Sequence, residues 1–133
     1  QPEVGEKILD VGSGSGWTTA LLAHIVRSGG KVFGVEIIGK LVDFGKENLA
    51  KYNFSHANIL PSDPQSRGLP KEAPFDKILV SAEAEEIPQE LIAQLKVGGR
   101  MVVPVNNSIY KIDKLNEGIK SEEFRGFAFV PLR

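Results

Sequence analysis

The sequence predicts an α/β domain: a doubly wound, mostly parallel seven-stranded sheet with helices on both faces and an antiparallel C-terminal end. Three observations predict it. Over roughly the first hundred residues, short continuous apolar runs alternate with segments of helical spacing, the order of a parallel sheet with crossover helices. After that, strand-like runs are joined by short turns and pair antiparallel. Between the first run and the first helix stand Gly12, Gly14 and Gly16, a tight strand-to-helix turn of the kind at which such sheets take ligands.

Lys7 to Val11 is the first strand, continuous rather than alternating, as expected of a strand covered on both faces. The first helix spans about Gly16 to Arg27; Trp17, Leu21, Leu22, Ile25 and Val26 give it an apolar face, and Ser28-Gly29-Gly30 stops it. Lys31 to Glu36 is a second buried strand ending in an acid. A helix over Lys40 to Tyr52 follows, with Leu41, Val42, Leu49 and Tyr52 inward and Asp43, Lys46, Glu47 and Lys51 outward. Ala57 to Leu60 is a short third strand. Pro61 to Pro74, rich in proline and small polar residues, is a long loop with at most one short helical turn, and loops of that size are usually functional or mobile. Phe75 to Val80 is the fourth strand and Ser81 to Ile87 a second loop. Pro88 opens a helix to about Leu95, closed by Gly98-Gly99. Arg100 to Val105, Ile109 to Leu115 and Arg125 to Val130 complete the strands, with turns at Asn106-Asn107 and Asn116-Glu117-Gly118; Phe124, Phe127 and Phe129 belong to the core.

Composition narrows the function. With 133 residues, 41% of them hydrophobic, the chain has the size of a single domain and can bury roughly two-thirds of its unfolded surface. Sixteen basic and 17 acidic residues leave a formal charge of −1, so no chain-wide field recruits nucleic acid or an anionic membrane. The absence of cysteine excludes disulfides, thiolate metal sites and a cysteine nucleophile. No apolar run approaches the roughly 20 residues of a membrane helix, and a cytoplasmic monomer is expected. His24 and His56 have no partner nearby in sequence and read as structural or exposed. Lys46-Glu47 and Glu122-Glu123 read as solvated faces.

The glycine turn points to a nucleotide-type cofactor, with a helix start near Ser15 aiming N–H groups at it. Glu36, at the tip of the neighbouring strand, is placed to accept both hydroxyls of a ribose. A nicotinamide dinucleotide needs a further glycine three positions after Gly14, where Trp17 stands instead; the indole prevents close packing of helix on strand. A phosphate-cradling Walker loop is excluded because no Gly-Lys-Ser or Gly-Lys-Thr follows the turn.

Leu9-Asp10-Val11-Gly12-Ser13-Gly14-Ser15-Gly16 resembles the first motif of class I S-adenosylmethionine-dependent methyltransferases, whose fold is Rossmann-like, and Gly34-Val35-Glu36 resembles their second. The closer resemblance is to the protein-L-isoaspartate O-methyltransferase family. It rests on Ala73-Pro74-Phe75-Asp76-Lys77-Ile78, Glu86-Ile87-Pro88, Leu95-Lys96-Val97-Gly98-Gly99-Arg100 with Pro104-Val105, and the ending Phe129-Val130-Pro131-Leu132. The resemblance implies one domain over residues 1–133, without the region that precedes the first strand in the family.

The same resemblance implies S-adenosylmethionine as cofactor. Asp10, Gly12, Ser13, Gly14, Ser15 and Gly16 would wrap its amino-acid end, Glu36 with Ile37 would hold the ribose, and Asp63 with Pro64 would meet the adenine. Ser81, Ala82 and Glu83 would line the methyl acceptor, the isoaspartyl residue of a damaged protein. Asp63 is flanked by Ser62 and Pro64 where the family has glycines, and Glu83 and Glu85 are acids in a loop that is mostly neutral there. No catalytic acid, base or metal is assigned. A carboxylate acceptor, with a reference pKa of about 4, is already ionised near pH 7, and methyl transfer to it is a matter of positioning. Two alternatives stay open: a cofactor-binding or structural core without turnover, and a class I methyltransferase with a different acceptor.

Overall fold

The computed structural model describes residues 2–14, 16–27, 29–36, 39–52, 54–62, 67–82 and 84–125. Along them run β1 (Lys7–Val11), α1 (Trp17–Val26), β2 (Lys31–Glu36), α2 (Gly39–Ala50), β3 (Ala57–Pro61), a single 3-10 turn (Pro70–Glu72), β4 (Phe75–Val80), α3 (Gln89–Gln94), β5 (Leu95–Val105), β6 (Ser108–Leu115) and β7 (Gly118–Arg125). The seven strands form one sheet in the order β3-β2-β1-β4-β5-β6-β7. Pairing is parallel from β3 to β5 and antiparallel from β5 to β7, the α/β architecture that the alternation of apolar runs predicts. The order reverses beside β1: β2 lies on one side of it and β4 on the other, which opens a crevice at the carboxyl ends of these three strands.

Strands β1 to β4 feed two cores because their side chains alternate, whereas β5 and β6 feed one. Ile8, Val32 and Ile59 meet Ala23 and Val26 of α1 and Leu49 of α2 on one face. Leu9, Phe33, Ile78 and Met101 meet Leu91 and Ile92 of α3 on the other. Full burial of each larger aliphatic side chain contributes about 1.5–3 kcal/mol. No helix among the described residues is long and apolar enough to cross a membrane.

The structure corrects several expectations. On α1 the inward face carries Thr19, Ala20, Leu22, Ala23 and Val26, while Trp17, Leu21 and Ile25 are 60%, 47% and 37% exposed. Size decides this. The helix lies so close to β2 that a Cβ on Gly34 would sit 2.6 Å from the Thr19 hydroxyl, and only small residues fit along that line. Tyr52 is likewise exposed, beyond the end of α2, and meets Trp17 edge-on with ring centroids 6.3 Å apart.

Gly98-Gly99 does not separate helix from strand. β5 begins at Leu95 directly after α3, and the glycines lie in an irregular stretch where pairing with β4 jumps from Leu95 opposite Phe75 to Arg100 opposite Lys77. A strand that sequence reading did not expect, Gly118–Arg125, pairs with β6 through a turn at Asn116-Glu117, and the strand expected over Arg125 to Val130 lies, Arg125 apart, outside the described residues. Phe124 on β7 is exposed. Residues 126–133, with Phe127 and Phe129, lie outside the described residues. The Asn106-Asn107 turn is as expected, both residues having positive φ (48° and 65°), the backbone of a two-residue hairpin.

Candidate cofactor site

The crevice beside β1 is built from three strand ends and the glycine turn. Gly12, Gly14 and Gly16 all have positive φ, 79°, 54° and 84°, so the chain reverses within five residues and enters α1. The N–H groups of Gly12 and Ser13 donate to the Val35 carbonyl at 2.8 and 3.1 Å, which seats the turn on the end of β2. Gly16, at the α1 N-cap, makes no side-chain capping bond among the described residues, and a Cβ there would lie 2.7 Å from the Gly45 carbonyl oxygen. The start of α1 is thus pressed against α2, a second reason for the turn's composition.

Two acids stand at the strand ends. Glu36 closes β2, is nearly buried, and accepts the Gly14 N–H on Oε1 at 3.0 Å. Asp10, near the end of β1, is fully buried. Its Oδ2 accepts the Thr19 hydroxyl of α1 at 2.8 Å, and its Oδ1 accepts the Ser81 hydroxyl, just past β4, at 3.3 Å. Burial pushes the Asp10 carboxyl up to about 6 against the opposing pull of those hydroxyls, and the negative charge of Glu36 adds to the rise. Two carboxylates side by side make a place for cations and hydroxyl donors.

The Ser13 hydroxyl oxygen is buried and, among the described residues, has no hydrogen-bond partner, an arrangement that invites a ligand to complete it. Over Gly14 the position of an absent Cβ meets, among the described residues, nothing nearer than the Gly12 carbonyl oxygen at 4.0 Å, so these residues leave the backbone open to close approach there. Beyond β4 the Ser81 N–H donates to the Val11 carbonyl at 2.9 Å, and Ala82 comes within 3.7 Å of where a Gly12 Cβ would be. The start of the loop after β4 therefore lies directly against the glycine turn.

The expected residues Asp10, Gly12, Ser13, Gly14, Gly16, Glu36, Ser81 and Ala82 come together in this crevice. Ser15, Ile37, Asp63, Pro64 and Glu83 lie outside the described residues. Thr19 is the member that sequence reading passed over. The signal is there in retrospect: it shares the inner face with Ala23 and Val26, four and seven positions on, so a buried hydroxyl needs an acceptor. The histidines sit elsewhere. His24 is exposed, and His56 Nε2 lies 2.8 Å from the Ala23 carbonyl oxygen.

The sequence model described as protein-L-isoaspartate(D-aspartate) O-methyltransferase matches residues 3–133. The chain belongs to this family. Among its relatives, the protein-L-isoaspartate O-methyltransferase of Methanopyrus kandleri is 41% identical over 137 residues, covering 98% of this chain and 60% of the relative. That of Pyrococcus horikoshii is 40% identical over 134 residues, covering 96% and 60%. A solved protein-L-isoaspartate O-methyltransferase superposes with a TM-score of 0.89 at 25% identity, over 98% of this chain and 43% of that one. A Plasmodium falciparum protein assigned to the same activity, in complex with S-adenosyl-L-homocysteine, gives 0.84 at 27% identity, over 98% and 67%. The chain spans about three-fifths of the length of these curated relatives. In this family the resemblance of Leu9 to Gly16 and of Gly34 to Glu36 falls on the turn and strand end just described.

Proposed function

We infer that this chain binds S-adenosylmethionine in the crevice beside β1 and serves the transfer of its methyl group to the free carboxylate of isoaspartyl residues in damaged proteins. The observation that carries the reading is the Gly14–Glu36 bond, which fixes an acid of the ribose-binding type against an open glycine turn. The residues suit the cofactor. Glu36 can take ribose hydroxyls, Asp10 and Glu36 set a negative field for a sulfonium and an ammonium, and the Ser13 hydroxyl lacks a partner among the described residues. Asp63 is assigned to the adenine on the strength of the family resemblance. The Plasmodium relative, solved with S-adenosyl-L-homocysteine, supports the choice of cofactor.

The cofactor supplies an electrophilic methyl carbon on a positively charged sulfur. The acceptor carboxylate is ionised at neutral pH, so a bond from oxygen to that carbon can form as the carbon–sulfur bond breaks, with no proton to move. The protein's part is alignment. Ser81 and Ala82, held against the turn, bring the acceptor loop to the cofactor's edge, a positioning effect able to supply several kcal/mol. The resulting methyl ester is open to attack by the next backbone nitrogen, which expels methanol and leaves a succinimide. Hydrolysis of that ring returns part of the material to normal aspartate.

A second reading, an acceptor other than an isoaspartyl carboxylate, is favoured by the acids Glu83 and Glu85 in the sequence of the loop after β4; Glu85 is exposed there, and such charges repel an anionic substrate. Labelled methyl transfer to an isoaspartyl peptide and to its normal aspartyl twin tests the proposal. Transfer to the first alone supports it, and transfer to neither removes the isoaspartyl assignment. Replacing Glu83 and Glu85 together by alanine raises transfer to the isoaspartyl peptide if the acids are an obstacle, and abolishes transfer to another substrate if they belong to it.

A further inference from the structure

The loop after β4 is held at two ends. At its start Ser81 is tied to β1: its N–H donates to the Val11 carbonyl at 2.9 Å and its hydroxyl to Asp10 Oδ1 at 3.3 Å. Farther on, the partner is β5, which runs past the end of β4 to Val105, the last matched pair between the two strands being Leu79 with Val102. Ala84 fills the place that β4 leaves. It is buried, bridges to Val105 in the parallel sense, and its N–H donates to the Pro104 carbonyl at 2.8 Å. The next carbonyl of the loop, that of Glu85, accepts from Asn106 Nδ2 at 3.2 Å. Asn106 is the first residue of the two-residue turn between β5 and β6, with φ 48°. A glycine would meet that backbone demand at no steric cost, so the turn by itself calls for no side chain there. The amide is the part of Asn106 that reaches back to the loop.

We propose that Asn106 is a positioning residue for the methyl acceptor: from the turn after β5 it pins the far end of the loop after β4, and so sets how well the acceptor is held while leaving the cofactor's affinity unchanged. This rests on the reading above that Ser81 and Ala82 line the acceptor. Asn106 follows the carboxyl end of β5, the same end of the sheet at which β1, β2 and β4 open the crevice. Anchors at Ser81 and at Ala84 leave only Ala82 and Glu83 between them in the chain. A loop ordered before binding spares the ligand the cost of ordering it. In-line transfer also depends on the distance and angle between the acceptor oxygen and the methyl carbon, so a loop that wavers loses rate as well as affinity. The bond from Asn106 to Glu85 involves neither the glycine turn nor Glu36, which is why the two ligands respond separately.

The test compares Asn106→Gly, which keeps the backbone of the turn and removes the amide, with Asn106→Asp, which keeps the shape and sets an acceptor against the Glu85 carbonyl. Val26→Ala, a core change in the last turn of α1, controls for lowered stability. Labelled methyl transfer to an isoaspartyl peptide gives kcat and KM, and calorimetric titration with S-adenosyl-L-homocysteine gives the affinity of the cofactor side. For Asn106→Gly the expected result is a kcat/KM for the peptide about tenfold lower, with cofactor affinity within about twofold of wild type. Asn106→Asp falls at least as far, and Val26→Ala keeps wild-type values of both. Amide hydrogen exchange at Ala84, whose N–H holds the Pro104 carbonyl, quickens in both Asn106 variants. Wild-type kinetics with the peptide in Asn106→Gly, unchanged exchange at Ala84, or cofactor affinity that falls in step with kcat/KM each overturn the proposal. Where the wild-type chain transfers methyl and Asn106→Gly equals it, only the role of Asn106 falls. Where the wild-type chain transfers methyl to neither the isoaspartyl peptide nor its aspartyl twin, the reading beneath it falls and takes the proposal with it.

Discussion

The Gly14 N–H donates to the Glu36 carboxylate at 3.0 Å, so the turn after β1 is tied to the tip of β2 by a side chain as well as by the two backbone bonds to Val35. One acid shapes the turn and remains an acceptor toward whatever rests on it. Glu36→Ala removes both effects, and binding of S-adenosylmethionine weakens about 10- to 100-fold, the worth of one or two hydrogen bonds to a charged group. Glu36→Gln keeps an acceptor for Gly14 and falls between. Titration calorimetry measures the series, and unchanged affinity in Glu36→Ala takes Glu36 out of the site.

Asp10 makes the site sensitive to pH. Its carboxyl is raised from 3.8 to about 6 in the folded chain, so between those values the folded state holds a proton that the unfolded chain has released. Its contribution to stability therefore falls as pH rises from about 4 to about 6, by at most about 3 kcal/mol. Asp10→Asn flattens that part of the denaturation profile. The ionised form favours a cation, so affinity for S-adenosylmethionine rises as pH passes about 6, and rises less for S-adenosyl-L-homocysteine, which has no sulfonium. Both trends vanish in Asp10→Asn.

Thr19→Val removes the hydroxyl that Asp10 Oδ2 accepts while keeping the volume. A buried carboxylate loses a donor, at a cost of about 1–3 kcal/mol in urea denaturation near neutral pH. The Asp10 carboxyl moves further up, because the strongest of its lowering influences is gone. The affinity transition of the preceding experiment then shifts to higher pH.

Gly16→Ala tests the contact between the glycine turn and α2. A Cβ there meets the Gly45 carbonyl at 2.7 Å and the Ile59 Cδ1 methyl at 2.9 Å, on a backbone with φ 84°. Strain and overpacking together cost about 2–4 kcal/mol. Gly29→Ala, with nothing within 4 Å of its Cβ among the described residues, is the control and leaves stability nearly unchanged.

Legibility followed the physics of each element. β4, Phe75–Val80, was readable to the residue because a segment rich in Phe, Ile, Leu and Val stands between a proline and a polar loop. Asp10, the glycine turn, Glu36 and Ser81 were readable as neighbours once the parallel order was known, since all sit at the strands' carboxyl ends. The packed face of α1 was not, because hydropathy selects Trp17, Leu21 and Ile25 whereas close approach to the sheet selects Thr19, Ala20 and Ala23. β7 was missed for a different reason. Every residue of Gly118–Arg125 is exposed, so no apolar alternation marks it, and pairs such as Lys111 with Glu122, 3.2 Å apart, lie opposite each other across β6 and β7. The bonds by which the Gln94 amide accepts the Leu69 N–H and donates to the Arg67 carbonyl, both at 2.8 Å, were invisible because backbone partners 25 and 27 positions away leave no mark on side-chain pattern.

Trp17 is the chain's one tryptophan, and it stands immediately after Gly16, mostly exposed, with Tyr52 edge-on at 6.3 Å. The protein thus carries its single indole fluorophore one residue past the glycine turn, with a tyrosine donor within energy-transfer range. Its emission is a label-free reporter of the start of α1, the element into which the turn leads.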